Sequence, residues 1–133
     1  MATASTPHWH VLFCDEQIQG CPVSEFIETR QQKHQVKILR FLDLLEQQGP
    51  TLPRPYADIL REGIHELRIK LSGDQVRLLY FFCYQRFIIL YHAFVKNTDR
   101  VPERIIDEVI RYRSAFLDMT PENRLEAAAH ADA

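Results

Sequence analysis

Two spacings of apolar residues alternate along this chain, one near two residues and one between three and four, and their order predicts its elements. From Trp9 to Cys14 (Trp-His-Val-Leu-Phe-Cys) β-branched and aromatic residues run together and stop at Asp15-Glu16, which predicts a first strand. After Gly20, the segment Pro22-Val23-Ser24-Glu25-Phe26-Ile27 has the composition of a helix start. Proline is tolerated in a first helical turn, and acidic side chains suit the positive end of the helix dipole. Val36, Leu39, Leu42 and Leu45, joined by Ile38 and Phe41, then recur every three to four residues until Gly49-Pro50. This predicts a second, amphipathic helix with that stripe on the core and Lys33, Lys37, Arg40 and Glu46 mostly off it. Pro50, Pro53 and Pro55 mark a connection, with a helical turn expected over Tyr56 to Leu60 before Gly63.

The second half reads differently. From Ile64 to Leu71 apolar and polar residues alternate, with Glu66, Arg68 and Lys70 on one face and Leu67, Ile69 and Leu71 on the other. Ser72-Gly73-Asp74 predicts a hairpin turn, Val76 to Tyr84 a second strand, Gln85-Arg86 a tight turn and Phe87 to Val95 a third strand. The last two strands are apolar on both faces, the pattern of central strands. A helical period returns after Pro102 with Ile105, Ile106, Val109, Ile110, Tyr112 or Arg113, and Phe116. The segment 118–133, ending in an alanine-rich stretch, is too poor in large apolar residues to choose between a short helix and a mobile tail. The expectation is one α+β domain over 1–133, with an ordered core over about 8–117.

Composition narrows the class. Of 133 residues, 46% are hydrophobic and 26% charged, the balance of a globular protein. No apolar run approaches the roughly 18 to 20 residues of a membrane helix, and Met1 to Pro7 lacks the cationic and apolar stretches of a signal peptide, so no membrane and a cytoplasmic location are expected. Cys14, Cys21 and Cys83 are odd in number and fit no CxxC spacing, and they read as buried small hydrophobes. His8 and His10 share a strand face without a third ligand nearby in sequence, so neither a metal nor another cofactor is expected.

The net charge of −2 argues against a uniformly basic nucleic-acid binder, yet residues 51–104 carry 9 basic and 6 acidic side chains while both flanks are acidic. The cations of that segment fall in three strand phrases: Glu66-Leu67-Arg68-Ile69-Lys70, Val76-Arg77-Leu78-Leu79-Tyr80 and His92-Ala93-Phe94-Val95-Lys96. Paired as one antiparallel sheet, these strands bring their cations toward one phosphate-sized target. Arginine suits such a target because its planar fork bonds two phosphate oxygens and keeps its charge. Arg68, Arg77 and Lys96 are the candidate phosphate ligands, with Lys70 as a helper and His92 as general acid or base. Tyr80 and Tyr91 are candidates for stacking on a base. Each has a structural alternative: ion pairing with Glu66, Asp74 or Asp99 for the cations, a buried hydrogen-bonded ring for His92, and core packing for the tyrosines. Glu66, flanked by cations, should have a lowered pKa and make a poor base.

The order of elements and these phrases together resemble the HigB-like branch of the RelE/ParE toxin superfamily. That family's pattern is a glycine, an apolar residue and Glu-Leu-Arg, then Arg-apolar-apolar-Tyr, then His-Gly-Phe-x-Lys-Lys-Thr, then a helix begun by proline. Here it reads Gly63-Ile64-His65-Glu66-Leu67-Arg68, Arg77-Leu78-Leu79-Tyr80 and His92-Ala93-Phe94-Val95-Lys96-Asn97-Thr98, with Ala93 in place of a glycine and Asn97 in place of the second lysine. The resemblance implies a RelE-like α+β fold in which a small antiparallel sheet, the N-terminal strand plus a three-stranded meander, packs against two N-terminal helices and a C-terminal helix. It also implies the toxin of a type II toxin-antitoxin pair, a metal-independent endoribonuclease that cuts messenger RNA by attack of its 2′-hydroxyl. No obvious His-His or Glu-His pair is present, and such a site is expected to be slow on free RNA and to need the ribosome to position the strand. The implied partner is a helix-turn-helix antitoxin that supplies all contact with operator DNA and covers the cationic cleft or clamps the helix near Val36 to Leu45. A ParE-like gyrase poison and a non-catalytic interaction module are the alternatives.

Overall fold

A computed structural model of the chain describes residues 9–15, 18, 20–96 and 100–131. Its elements run β1 (His10–Phe13), α1 (Pro22–Glu28), α2 (Gln32–Gln48), a 3-10 turn (Gly49–Thr51), β2 (Ala57–Arg61), β3 (Ile64–Leu71), β4 (Asp74–Cys83), β5 (Phe87–Val95), α3 (Glu103–Met119) and α4 (Glu122–Ala131). The α+β class and the three-stranded meander stand as expected. The strands form one sheet in the order β1-β5-β4-β3-β2.

Two local expectations are corrected, and one that the sequence left open is decided. The sheet is mixed, because β1 runs parallel to β5, with His10 beside Phe87 and Phe13 beside Leu90. Two helices separate β1 from the meander, and a crossover of this kind can return the chain in the parallel sense. The segment 57–61 is a strand, antiparallel to β3 with Asp58 opposite Glu66, and no helical turn forms there. Prolines in the preceding segment masked this short edge strand, whose pairing partner supplies what its own sequence does not. Residues 122–131 form a helix held by its tertiary contacts. Leu125 is buried, and the Tyr84 hydroxyl donates to Thr120 O at 2.7 Å just ahead of it.

Helix α2 also presents a different stripe to the core. Ile38, Leu42 and Leu45 are buried, whereas Val36 and Leu39 are 42% and 50% exposed. Both sets have helical spacing, and only the direction of approach to the sheet chooses between them.

The cysteines depart from the reading of three free thiols. Cys14 and Cys21 are buried as expected but form a disulfide that joins the end of β1 to the start of α1. Cys83 is free and buried, and burial pushes its thiol up to about 12. The pairing follows from α1 lying against β5, beside β1, a proximity that spacing alone does not state.

Side-chain alternation divides the core between the two sheet faces. On one, Phe81 of β4 and Tyr91 of β5 meet Tyr112 and Phe116 of α3, with Tyr91 stacked on Tyr112 at 4.6 Å. Tyr112 is fully buried, its hydroxyl accepts the Asp15 N–H at 2.7 Å, and burial pushes it up to about 12. On the other face Phe82 meets Trp9 edge to face at 5.0 Å, and Trp9 lies against the end of α2. Gly49 closes that end at φ 53°, where a Cβ would sit 2.3 Å from the indole nitrogen, so glycine is required for both backbone and space.

Candidate functional site

The register of the meander assembles the motif residues. Arg68 of β3 lies opposite Arg77 of β4, Glu66 opposite Leu79, and across β5 Arg77 faces Phe94 and Leu79 faces His92. Glu66, Arg68, Lys70, Arg77 and His92 therefore share one face of the sheet.

Glu66 organises the centre of this group. It is 2% exposed, and its Oε2 accepts from Arg68 Nε at 3.1 Å and Nη2 at 2.9 Å. Its Oε1 lies 3.0 Å from Arg77 Nε, a close ion pair whose atoms are not aligned as a hydrogen bond. The carboxylate is thus wedged between two guanidinium groups, and each arginine is fixed by the charge that offsets it. The ion-pair alternative weighed for Arg68 and Arg77 is realised with Glu66.

Arg68 has a second carboxylate. Its Nη2 lies 3.2 Å from Asp58 Oδ2, brought alongside by β2. Asp58 Oδ1 accepts from the Ile59 N–H at 2.9 Å and from Arg54 at 3.1 Å. Burial works to raise its pKa, but the Arg54 and Ile59 hydrogen bonds and the charges of Arg54 and Arg68 together hold the carboxyl below the ordinary 3.8.

Beside this network a cavity of about 370 Å³ opens between β2, the start of β3, Lys96 and the N-terminal turn of α3. Arg61, Arg68, Lys96 and Arg100 line it together with Asp58, Glu66 and Glu103. Among the described residues its charged lining is therefore four cations against three carboxylates. Arg61 braces the wall by pairing with Glu103 at 2.9 Å and with Asp107, which ties β2 to α3. The Lys96 backbone N–H donates to Gln75 O at 2.6 Å and fixes the end of β5 beside the cavity.

The predicted ligands are thus separated into layers. Arg68 and Lys96 line the cleft, Lys96 being itself only 6% exposed, while Arg77, also largely buried, is not part of the lining and stands behind Glu66. Lys70 is exposed farther along β3, where its carbonyl accepts from Lys37 Nζ at 2.6 Å. Tyr80 is on the reverse face, 1% exposed and stacked on His65 at 5.4 Å, and burial together with the Glu66 charge raises its pKa. Tyr91 is buried against Tyr112 and donates to Glu108 Oε2 at 2.8 Å. His92 is half-buried between the edges of Tyr91 and Phe94, with Nδ1 3.3 Å from Ala93 O, and does not line the cleft. Ala93 is buried within β5, and the expectations for His8, Asn97 and Asp99 lie outside the described residues. Sequence reading missed Asp58, hidden in the misassigned segment, and Arg61, Arg100 and Glu103, which carry no motif.

His65 and His92, each half-buried, are tuned toward the neutral form. Burial lowers the pKa of His65 and outweighs the opposing charge of Asp58; burial likewise lowers that of His92 and outweighs Glu108. The unfolded chain, at the ordinary 6.5, then binds protons that the folded chain refuses. Stability is expected to be full above about pH 6.5 and to fall as the pH drops from there through the lowered folded values. Urea unfolding at pH 7.5 and 5.5 measures the loss, and His65→Gln and His92→Gln should each flatten it. An unchanged slope in both variants would assign the acid sensitivity elsewhere.

Among the described residues no group of three or more His, Cys, Asp or Glu side chains is placed to hold a metal ion, and no helix is long and apolar enough to cross a membrane. A mixed sheet flanked by helices, with an ion-paired cleft beside β2 and β3, defines a small α+β domain of RelE-like type. The chain belongs to the phage-derived protein Gp49-like (DUF891) family, whose model matches residues 25–113. That span contains every residue lining the cleft. No curated protein matches the chain.

Proposed function

We propose that this chain is the toxin of a type II toxin-antitoxin pair, of the HigB-like branch, and that it cleaves ribosome-bound messenger RNA. The observation that carries the reading is the placement of Arg68 and Lys96 on one cleft wall, with Arg68 held in a fixed orientation by a buried carboxylate. The 2′-oxygen attacks phosphorus as it loses its proton, the bond from phosphorus to the 5′-oxygen breaks and that oxygen takes up a proton, and between the two negative charge concentrates on the phosphorane oxygens. Donors fixed in advance stabilise that charge without reorganising during the reaction. Arg68 is such a donor, Lys96 and Arg100 add positive charge to the same cleft lining, and Arg77 acts from behind through Glu66.

Proton transfer is the weaker half of the site. The carboxylate nearest the donors, Glu66, is engaged by two arginines, and His92 lies outside the cleft. Such a site gains most from a host that fixes the RNA strand, which supports cleavage on the ribosome. A helix-turn-helix antitoxin is the proposed partner and supplies contact with operator DNA.

Primer extension on messages from cells briefly induced for the chain tests the reading beside Arg68→Ala and Lys96→Ala. Discrete cuts within translated regions that vanish in both variants are expected. Growth arrest with intact messages would replace the nuclease by a gyrase-type protein target, and no arrest would leave an interaction module.

A further inference from the structure

The two carboxylates on Arg68 are not equivalent. Glu66 has a side chain 3% exposed and lies between Arg68 and Arg77, so releasing Arg68 from it would leave a buried anion with an unaligned contact. Asp58 is on the wetter side, with its side chain 18% exposed, and it makes one longer contact to Arg68 at 3.2 Å. If that contact is broken, Asp58 keeps Arg54 at 3.0 Å and the Ile59 N–H at 2.9 Å. An incoming anion can therefore take the Asp58 position on Arg68 without stranding either charge, whereas it cannot take that of Glu66.

We propose that Asp58 is the specificity-determining residue of the cleft, an acidic gate that occupies Arg68 and admits only anions able to displace a carboxylate. This rests on the reading of the cleft as a phosphate site and adds a selector to it. The gate favours an anion that presents two oxygens to the guanidinium fork, as a phosphodiester does, over a single-point contact from a monatomic ion such as chloride. It also keeps the cleft close to neutral in the absence of RNA, which disfavours loose electrostatic association with any polyanion.

The test is a titration of the purified chain with inorganic phosphate, followed on the arginine Nε–Hε NMR signals of nitrogen-15-labelled protein. Asp58→Asn is expected to tighten phosphate binding about fivefold, the scale of a partly exposed ion pair. Asparagine retains an oxygen for the Ile59 N–H, and Asp58→Ser offers a second uncharged substitution whose hydroxyl oxygen can also accept. Adding Arg68→Ala to either variant should abolish the gain. Unchanged or weaker binding in folded Asp58→Asn and Asp58→Ser, with binding still dependent on Arg68, would overturn the gate and leave the phosphate site standing. Binding that ignores Arg68→Ala would overturn both. A gain in phosphate affinity in a chain that cuts no message would retain the gate and remove the nuclease.

Discussion

Replacing Arg68 with alanine is expected to lower message cleavage about 10²- to 10³-fold, the scale of losing one donor aimed at developing charge. Arg68 is on the cleft wall and is oriented through two N–H groups by Glu66 Oε2. Its remaining donors are set before RNA arrives. Arg68→Lys should recover little of this loss, because a point charge on a flexible stem cannot both engage the Glu66 carboxylate through two N–H groups and face a phosphate. Single-turnover cleavage on purified translating ribosomes measures the effect, with thermal melting to show that the variants fold. Recovery to near wild-type rate by lysine would mean that charge alone matters and that the fork does not.

Replacing Glu66 with alanine is expected to destabilise the fold by about 3 to 5 kcal/mol, the range for stripping one partner from a buried ion pair. The variant would leave Arg77, its side chain 11% exposed, with only the 3.3 Å bond to Val76 O among its described hydrogen bonds. It would also free Arg68 to swing toward Asp58. Glu66→Gln keeps one acceptor oxygen but turns an N–H₂ group toward a guanidinium, so a smaller loss is expected. Urea denaturation of both variants gives the comparison. A loss below about 1 kcal/mol in Glu66→Ala would show that the carboxylate is solvated as a surface pair is. Loss of cleavage in a stable Glu66→Gln would separate its part in placing the arginines from its part in holding the fold.

Much of this architecture was legible because local pattern and tertiary role agree. The strand over Phe87 to Val95 and the helix after Pro102 follow from an apolar run and a helical stripe that the core then uses, and the alternation at Glu66, Arg68 and Lys70 correctly assigns a shared face. The α2 stripe was less secure, because Val36 and Leu39 obey the same spacing as Ile38 and Leu42. The candidate site was legible as a set of cations and illegible as an arrangement. Tyr80 and Arg77 are near neighbours on one strand, yet the first is buried on the reverse face and the second stands behind Glu66.

What the sequence by itself determined is the class of fold, the meander, the two long helices and the residues from which a phosphate site would be drawn, since each depends on periodicity and side-chain chemistry within a short window. The tertiary structure alone decided that β1 runs parallel to β5, that Cys14 meets Cys21, and that β2 carries Asp58 to Arg68. The first joins distant segments, and the other two join neighbouring elements whose approach depends on where the sheet places them. Their free energy resides in pairs of surfaces that come together only when the whole sheet is closed.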